Sequence, residues 1–62
     1  MMSVYFIHAE VLGGGEVAAK MSMVIAASNS VHAFEVFMAD ENAARFQSQG
    51  FDVVIDKLEK VE

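Results

Sequence analysis

Hydrophobic and polar residues alternate on both sides of three successive glycines at positions 13–15, and this pattern predicts a β-hairpin. Residues 3–12 are rich in Val, Tyr, Phe and Ile, which favour strands. If the three glycines form the loop, Leu12 pairs with Glu16. Counting outward brings one apolar set onto a single face of the hairpin: Val11, Val17, Ala9, Ala19, Ile7, Met21, Tyr5 and Met23. We expect this face to be the core side.

Residues 16–27 also fit a helical pattern, because apolar residues recur there at helical spacing and Ala and Met are good helix formers. We favour a strand, since Lys20 and Ser22 alternate with apolar neighbours and the hairpin register aligns both faces. A helix in this segment would give a βαβαβ chain. The pattern alone leaves that alternative open.

Residues 28–30 are three helix-capping types in succession, and the apolar residues after them recur at helical spacing. This predicts a helix from about residue 30. The pattern weakens near Asp40, where we expect a kink or break with a turn or second cap. A competing interpretation makes residues 31–38 a strand and residues 40–48 a short helix, which leaves the capping residues without a purpose.

Gly50 is placed as a helix C-terminal cap, and alternation resumes after Phe51 in a final strand. The alternation slips near Lys57, which indicates a β-bulge or a loosely ordered tail. The predicted fold is one small α+β domain over residues 1–62, with a three-stranded, mainly antiparallel sheet. The strand order is 2-1-3, with one helix on one face. Three helix side chains are expected to cover three sheet residues: Phe34, Phe37 and Met38 over Ile7, Met21 and Val53.

The opposite face of this sheet is left uncovered, and its residues are too apolar for a surface that faces water alone. An apolar patch with a charged rim is typical of an association surface. We expect the contact to be made by four residues: Val4, Phe6, Val24 and Val54. A two-fold homodimer, face to face or edge to edge, is the simplest arrangement that buries them.

Composition supports association. The chain has 62 residues, of which 55% are hydrophobic, so its core is close to the lower limit for a stable single chain. It has no Cys and two His, so neither a disulfide framework nor a thiolate zinc site is available. Oligomerisation is the remaining means of stabilisation.

The net charge is −5, with nine acidic residues and four scattered basic ones. Proteins that bind nucleic acids or anionic membranes present basic patches, so we expect neither partner. No apolar run approaches the roughly 20 residues that span a bilayer, and the N-terminal segment lacks the features of a signal peptide. We expect a cytoplasmic protein.

His8, Glu10 and Lys20 form the one ionisable cluster whose geometry the hairpin predicts. The expected register places His8 directly across from Lys20, with Glu10 diagonal to Lys20. A functional interpretation gives His8 a proton-transfer role that is tuned by Glu10 at a subunit interface. We favour an ordinary solvated face with a cross-strand charge pair.

Other motifs give no chemical signature. His32 is expected in the first turn of the helix, on the other side of the sheet from His8, so the two cannot share a metal ion. Residues 40–42 lack the spacing of a calcium loop, and the glycine run lacks the endings of phosphate-binding and dinucleotide-binding loops. We therefore predict no cofactor and no metal.

The sequence as a whole predicts a small acidic interaction module that is homo-oligomeric and has no catalytic activity. Its expected partner is a second copy of itself, with another protein as a further option. The alternative is small-molecule binding or a minor enzyme activity at a subunit interface, carried by His8 and Glu10.

Overall fold

A three-stranded antiparallel sheet organises the protein, and the computed structural model describes residues 2–61 of it. The elements in chain order are β1 (Ser3–Gly13), β2 (Glu16–Ala27), α1 (Ser30–Met38), α2 (Glu41–Ser48) and β3 (Asp52–Lys60). β1 lies at the centre, in the order β2-β1-β3, and is antiparallel to both neighbours. The predicted α+β fold and strand order are confirmed, and the βαβαβ alternative is wrong.

The hairpin loop contains two residues, and the prediction of a three-residue loop is wrong. Gly13 pairs with Glu16, and Gly14 and Gly15 form the loop with φ angles of 61° and 82°. Two adjacent positive φ angles suit the tight turns whose twist matches that of paired strands. Glycine adopts this conformation at no steric cost.

The hairpin register differs from the predicted one by two residues over most of its length. Val11 pairs with Ala19, and the register shifts between Val11 and Leu12, so Ala18 is an extra residue in β2. A shift of two keeps each side chain on its predicted face, because side chains alternate with a period of two. Glu16 and Val17 are the exceptions. They lie between the loop and the bulge, where the register differs from the predicted one by a single residue, so both are on the opposite face from the predicted one. Val17 lies across from Leu12 and is exposed.

The core lies between one face of the sheet and the helices. Its main cluster of buried residues consists of Tyr5, Ile7, Ala9, Ile25, Ala27, Ala33 and Phe37, and Met21, Met23, Met38, Val53, Ile55 and Leu58 pack against them. Val11 and Ala43 are also fully buried. Phe37 and Met38 therefore cover the sheet as predicted. Phe34 does not, because Ala33 and Phe37 define the buried side of α1 and leave Phe34 45% exposed.

The predicted break near Asp40 is confirmed, and it divides the expected single helix in two. Asn29 caps α1, where its side chain accepts a 2.8 Å hydrogen bond from the His32 backbone N–H. Asp40 caps α2 by accepting a 3.0 Å bond from the Asn42 backbone N–H. Each cap satisfies one backbone donor that the first turn of a helix leaves free.

Gly50 ends α2, as predicted, with a φ of 90°. The Phe51 N–H donates to the Phe46 carbonyl at 3.0 Å, and the Gly50 N–H donates to the Gln47 carbonyl at 3.1 Å. These two bonds form a Schellman motif, in which an apolar contact commonly joins the flanking side chains. Here the rings of Phe46 and Phe51 meet edge to face, with centroids 5.9 Å apart. Within residues 2–61, neither helix is long and apolar enough to cross a membrane.

Candidate functional site

The sheet face that points away from the helices, here called the open face, carries every sequence-predicted site residue. β1 contributes Val4, Phe6, His8, Glu10 and Leu12; β2 contributes Val17, Lys20, Ser22, Val24 and Ala26; β3 contributes Asp52, Val54, Asp56, Lys57 and Glu59. Within residues 2–61, no helix or strand covers this face. The period of two along β1 produces it, since the odd-numbered residues from Tyr5 to Val11 are buried against the helices.

The apolar residues of the open face lie in two groups. Phe6 is directly across from Val24, and the neighbouring pair Val4 and Ala26 continues the first group. Val24 is 67% exposed. The second group, near the hairpin end of the sheet, consists of Leu12, Val17 and Val54; Val54 lies across from Glu10 and is 45% exposed. The four predicted interface residues thus share a face, with Val54 separated from the other three.

Charged residues occupy the middle of the open face, and their arrangement differs from the predicted one. Glu10 is directly across from Lys20, and His8 is across from Ser22 on one side and Lys57 on the other. The expected pairing of His8 with Lys20 is wrong because the loop is one residue shorter and β2 contains a bulge. Glu10 and Lys20 are instead the oppositely charged residues that lie directly across from each other.

Asp56 is the extra residue of a β-bulge in β3, and it is the site residue that sequence reasoning missed. His8 pairs with Lys57 and Ala9 with Ile55, so Asp56 has no partner of its own in β1. The bulge allows its carboxylate to reach across, and Asp56 Oδ1 lies 2.6 Å from His8 Nδ1. The slip of alternation near Lys57 was the only sequence signal of this contact.

Lys57 connects the charged middle to the first apolar group. Its Nζ atom lies 6.0 Å from the centroid of the Phe6 ring and 3.3 Å from Glu59 Oε2. Both contacts are at the surface, so each adds well under about 1 kcal/mol. Their effect is to hold the ammonium group over Phe6, at the border between apolar and charged surface.

The chemistry available at His8 is limited by its exposure. A carboxylate that orients an imidazole is one part of a general-base arrangement. No cavity is found among residues 2–61, and no group of three or more ligating side chains there could hold a metal ion. His32 lies in α1 and is engaged locally, since its Nδ1 lies 3.1 Å from Ser28 Oγ and 3.3 Å from the Ser28 backbone N. α1 lies on the other side of the sheet from His8, so the structure does not bring the two histidines together.

Comparisons of the chain with models of protein families, with curated proteins and with solved structures found no match.

Proposed function

We propose that this protein is a non-catalytic interaction module that assembles with a second copy of itself through the open face. The observation that carries the proposal is the pair formed by Phe6 and Val24 on an uncovered sheet face. Val24 is exposed and Phe6 is half-buried, and burial of the apolar surface that they leave in water would contribute about 25 cal/mol for each Å². A sheet face of this kind is ordinarily covered by a second layer.

The charges of the open face favour a second copy as the occupant. The face carries both signs: the cations Lys20 and Lys57 lie among the carboxylates of Glu10, Asp52, Asp56 and Glu59. The chain as a whole has a net charge of −5, which opposes contact between two copies elsewhere on the surface. A face of mixed sign can match itself about a two-fold axis, because the lysines of one copy can lie against the carboxylates of the other.

The size of the face sets the expected strength of association. Three strands about 4.8 Å apart and about 35 Å long present roughly 500 Å² of flat area. Two copies together therefore contribute on the order of 1,000 Å², which is at the lower end of specific interfaces. We expect a dimer whose population depends on protein concentration.

The test is light scattering over a dilution series with Phe6→Asp and Val54→Asp, two open-face variants. Each places a carboxylate in the proposed contact, so each should lower the solution mass at a concentration where the unaltered protein associates. Far-UV circular dichroism checks that the variants are folded. If Phe6→Asp does not fold, Val54→Asp still provides the test. Val31→Asp is the matched control, because Val31 is 66% exposed on the helical layer. Unchanged mass in folded Val54→Asp would overturn the proposal.

The short contact between His8 and Asp56 favours a second candidate function, small-molecule binding or a minor enzyme activity at the same interface. Glu10 lies two residues from His8 on the same face, so an oriented imidazole and a second carboxylate would be enclosed together on association. NMR titration of the His8 imidazole at associating concentration tests this candidate. If the His8 imidazole titrates as it does in a short peptide, the second candidate function loses its support.

A further inference from the structure

The outer edge of β2 is a second surface suited to a copy of this chain, and it is distinct from the open face. We propose that residues 19–27 of β2 pair in antiparallel register with the same residues of a second copy. A two-fold axis perpendicular to the sheet relates the copies and makes one six-stranded sheet. This proposal stands on the backbone edge and the α1 helix, and it does not depend on the proposed function.

The two edges of the sheet are protected very differently. β3 carries a bulge at Asp56 and five charged residues among nine: Asp52, Asp56, Lys57, Glu59 and Lys60. Bulges and charges are the usual means of preventing a strand edge from pairing with another chain. β2 has its bulge at Ala18, near the hairpin loop, and residues 21–27 include no charged side chain and no proline. Among residues 2–61, no strand pairs with the outer edge of β2.

Charge and register are compatible with self-pairing of β2. An axis at Met23 pairs all nine residues of the regular segment 19–27. It sets Lys20 across from Ala26 of the second copy, so the two lysines do not face each other. On the core face the same axis sets Met21 across from Ile25, an apolar pair. Pairing over this length would form about eight to ten backbone hydrogen bonds between the copies, because every second residue pair exchanges two.

The position of α1 adds an apolar contact to the same edge. α1 packs on β2 and β1, with Ala33 and Phe37 on its buried side. Viewed down the helix axis, Phe34 and Val36 lie about 80° to either side of the buried direction. Both are exposed. Both flanks of the helix are therefore apolar, including the flank beside the β2 edge.

Pairing of the two β2 edges also brings the two copies of α1 side by side, because α1 packs on β2 and β1. A helix over the midline of that strand pair would lie about 5 Å from the joined edge, given a strand spacing of about 4.8 Å. The two helices would then be at most about 10 Å apart, within the range in which helix flanks contact each other.

Symmetry explains why one edge is protected and the other is not. Pairing of β2 with β3 of another copy would be head to tail and would propagate into an open fibre. The bulge and charges of β3 oppose that pairing. Pairing of β2 with β2 is closed after two copies, so an unprotected β2 edge leads to a dimer of defined size.

Amide hydrogen exchange by NMR on the unaltered protein tests the proposal. In an unpaired edge strand every second amide points into solvent and exchanges rapidly. We expect all amides of residues 19–27 to be protected at associating concentration, with the outward amides of β2 exchanging at least about tenfold more slowly than those of β3. The β3 edge is the internal control. Outward β2 amides that exchange as fast as those of β3 would overturn the proposal.

The same measurement on Val54→Asp separates this proposal from the one for the open face. Val54 is on β3, away from the β2 edge, so the substitution should lower the mass and leave the β2 amides protected. Protection that persists while the mass is unchanged supports the edge contact and counts against the open face. Loss of β2 protection in this folded variant would overturn the edge contact.

Discussion

The ring of Phe51 lies against the backbone of Gly13, so closely that a Cβ atom on Gly13 would stand 2.5 Å from Cε1 of the ring. This contact joins the hairpin end of β1 to the segment between α2 and β3. The ring has little freedom to retreat, because it also meets Phe46 in the motif that ends α2. Gly13 is thus required for close approach, whereas Gly14 and Gly15 supply positive φ angles.

Gly13→Ala should destabilise the protein by about 1–3 kcal/mol, since the added methyl group overpacks the contact with Phe51. Urea unfolding followed by circular dichroism measures the loss. The control is the same substitution in a Phe51→Ala background, where the ring is absent and the penalty should largely disappear. An equal penalty in both backgrounds would show that the contact with Phe51 is not its cause.

The hairpin loop should discriminate between substitutions at Gly14 by backbone conformation. Gly14 has a φ of 61°, which Asn tolerates and a β-branched residue does not. Gly14→Asn should retain nearly full stability, and Gly14→Val should lose about 1–2 kcal/mol. No atom lies within 4 Å of a Cβ added at Gly14, so steric clashes do not contribute to the difference between the two variants. Thermal unfolding of the two variants measures the difference, and equal midpoints would contradict it.

The contact between His8 and Asp56 should contribute little to the stability of a single chain. Both side chains are partly exposed, and exposed ion pairs are typically worth 0.2–1 kcal/mol. A double-mutant cycle with His8→Ala and Asp56→Ala should give about this coupling, larger at mildly acidic than at mildly alkaline pH because a protonated imidazole adds charge. Added salt should reduce it. A coupling independent of both pH and salt would contradict an ionic contact.

The sequence was sufficient to predict the elements and faces of the sheet because alternation and capping are local properties. The two-residue error in register had little effect on the predicted faces of the sheet, since a shift of two leaves a side chain on the same face. Half of this error arose at Gly13, which was assigned to the loop because its contact with Phe51 joins residues far apart in the chain. The bulge at Ala18, which has no local signal, added the other half. Val17 was misplaced because it lies between the shortened loop and the bulge, where the register error is one residue.

The candidate site was predictable to a similar degree. The open-face residues of β1 followed from its alternation, but the partner of His8 did not. Asp56 reaches His8 only through the pairing of β1 with β3, whose register depends on a bulge and on the two helices between the strands. A slip in alternation indicates that a bulge exists, and it does not indicate which side chain crosses to a neighbouring strand.

The central position of β1 has a consequence for the order of folding. Its pairing with β2 joins residues close in the chain, whereas its pairing with β3 joins residues as distant as Tyr5 and Lys60. Local pairs close quickly and distant ones slowly, because longer loops lose more entropy on closure. During synthesis the hairpin is therefore complete while one side of β1 still lacks its neighbour. Docking of the last strand is the step that converts β1 from an aggregation-prone edge into a protected interior strand.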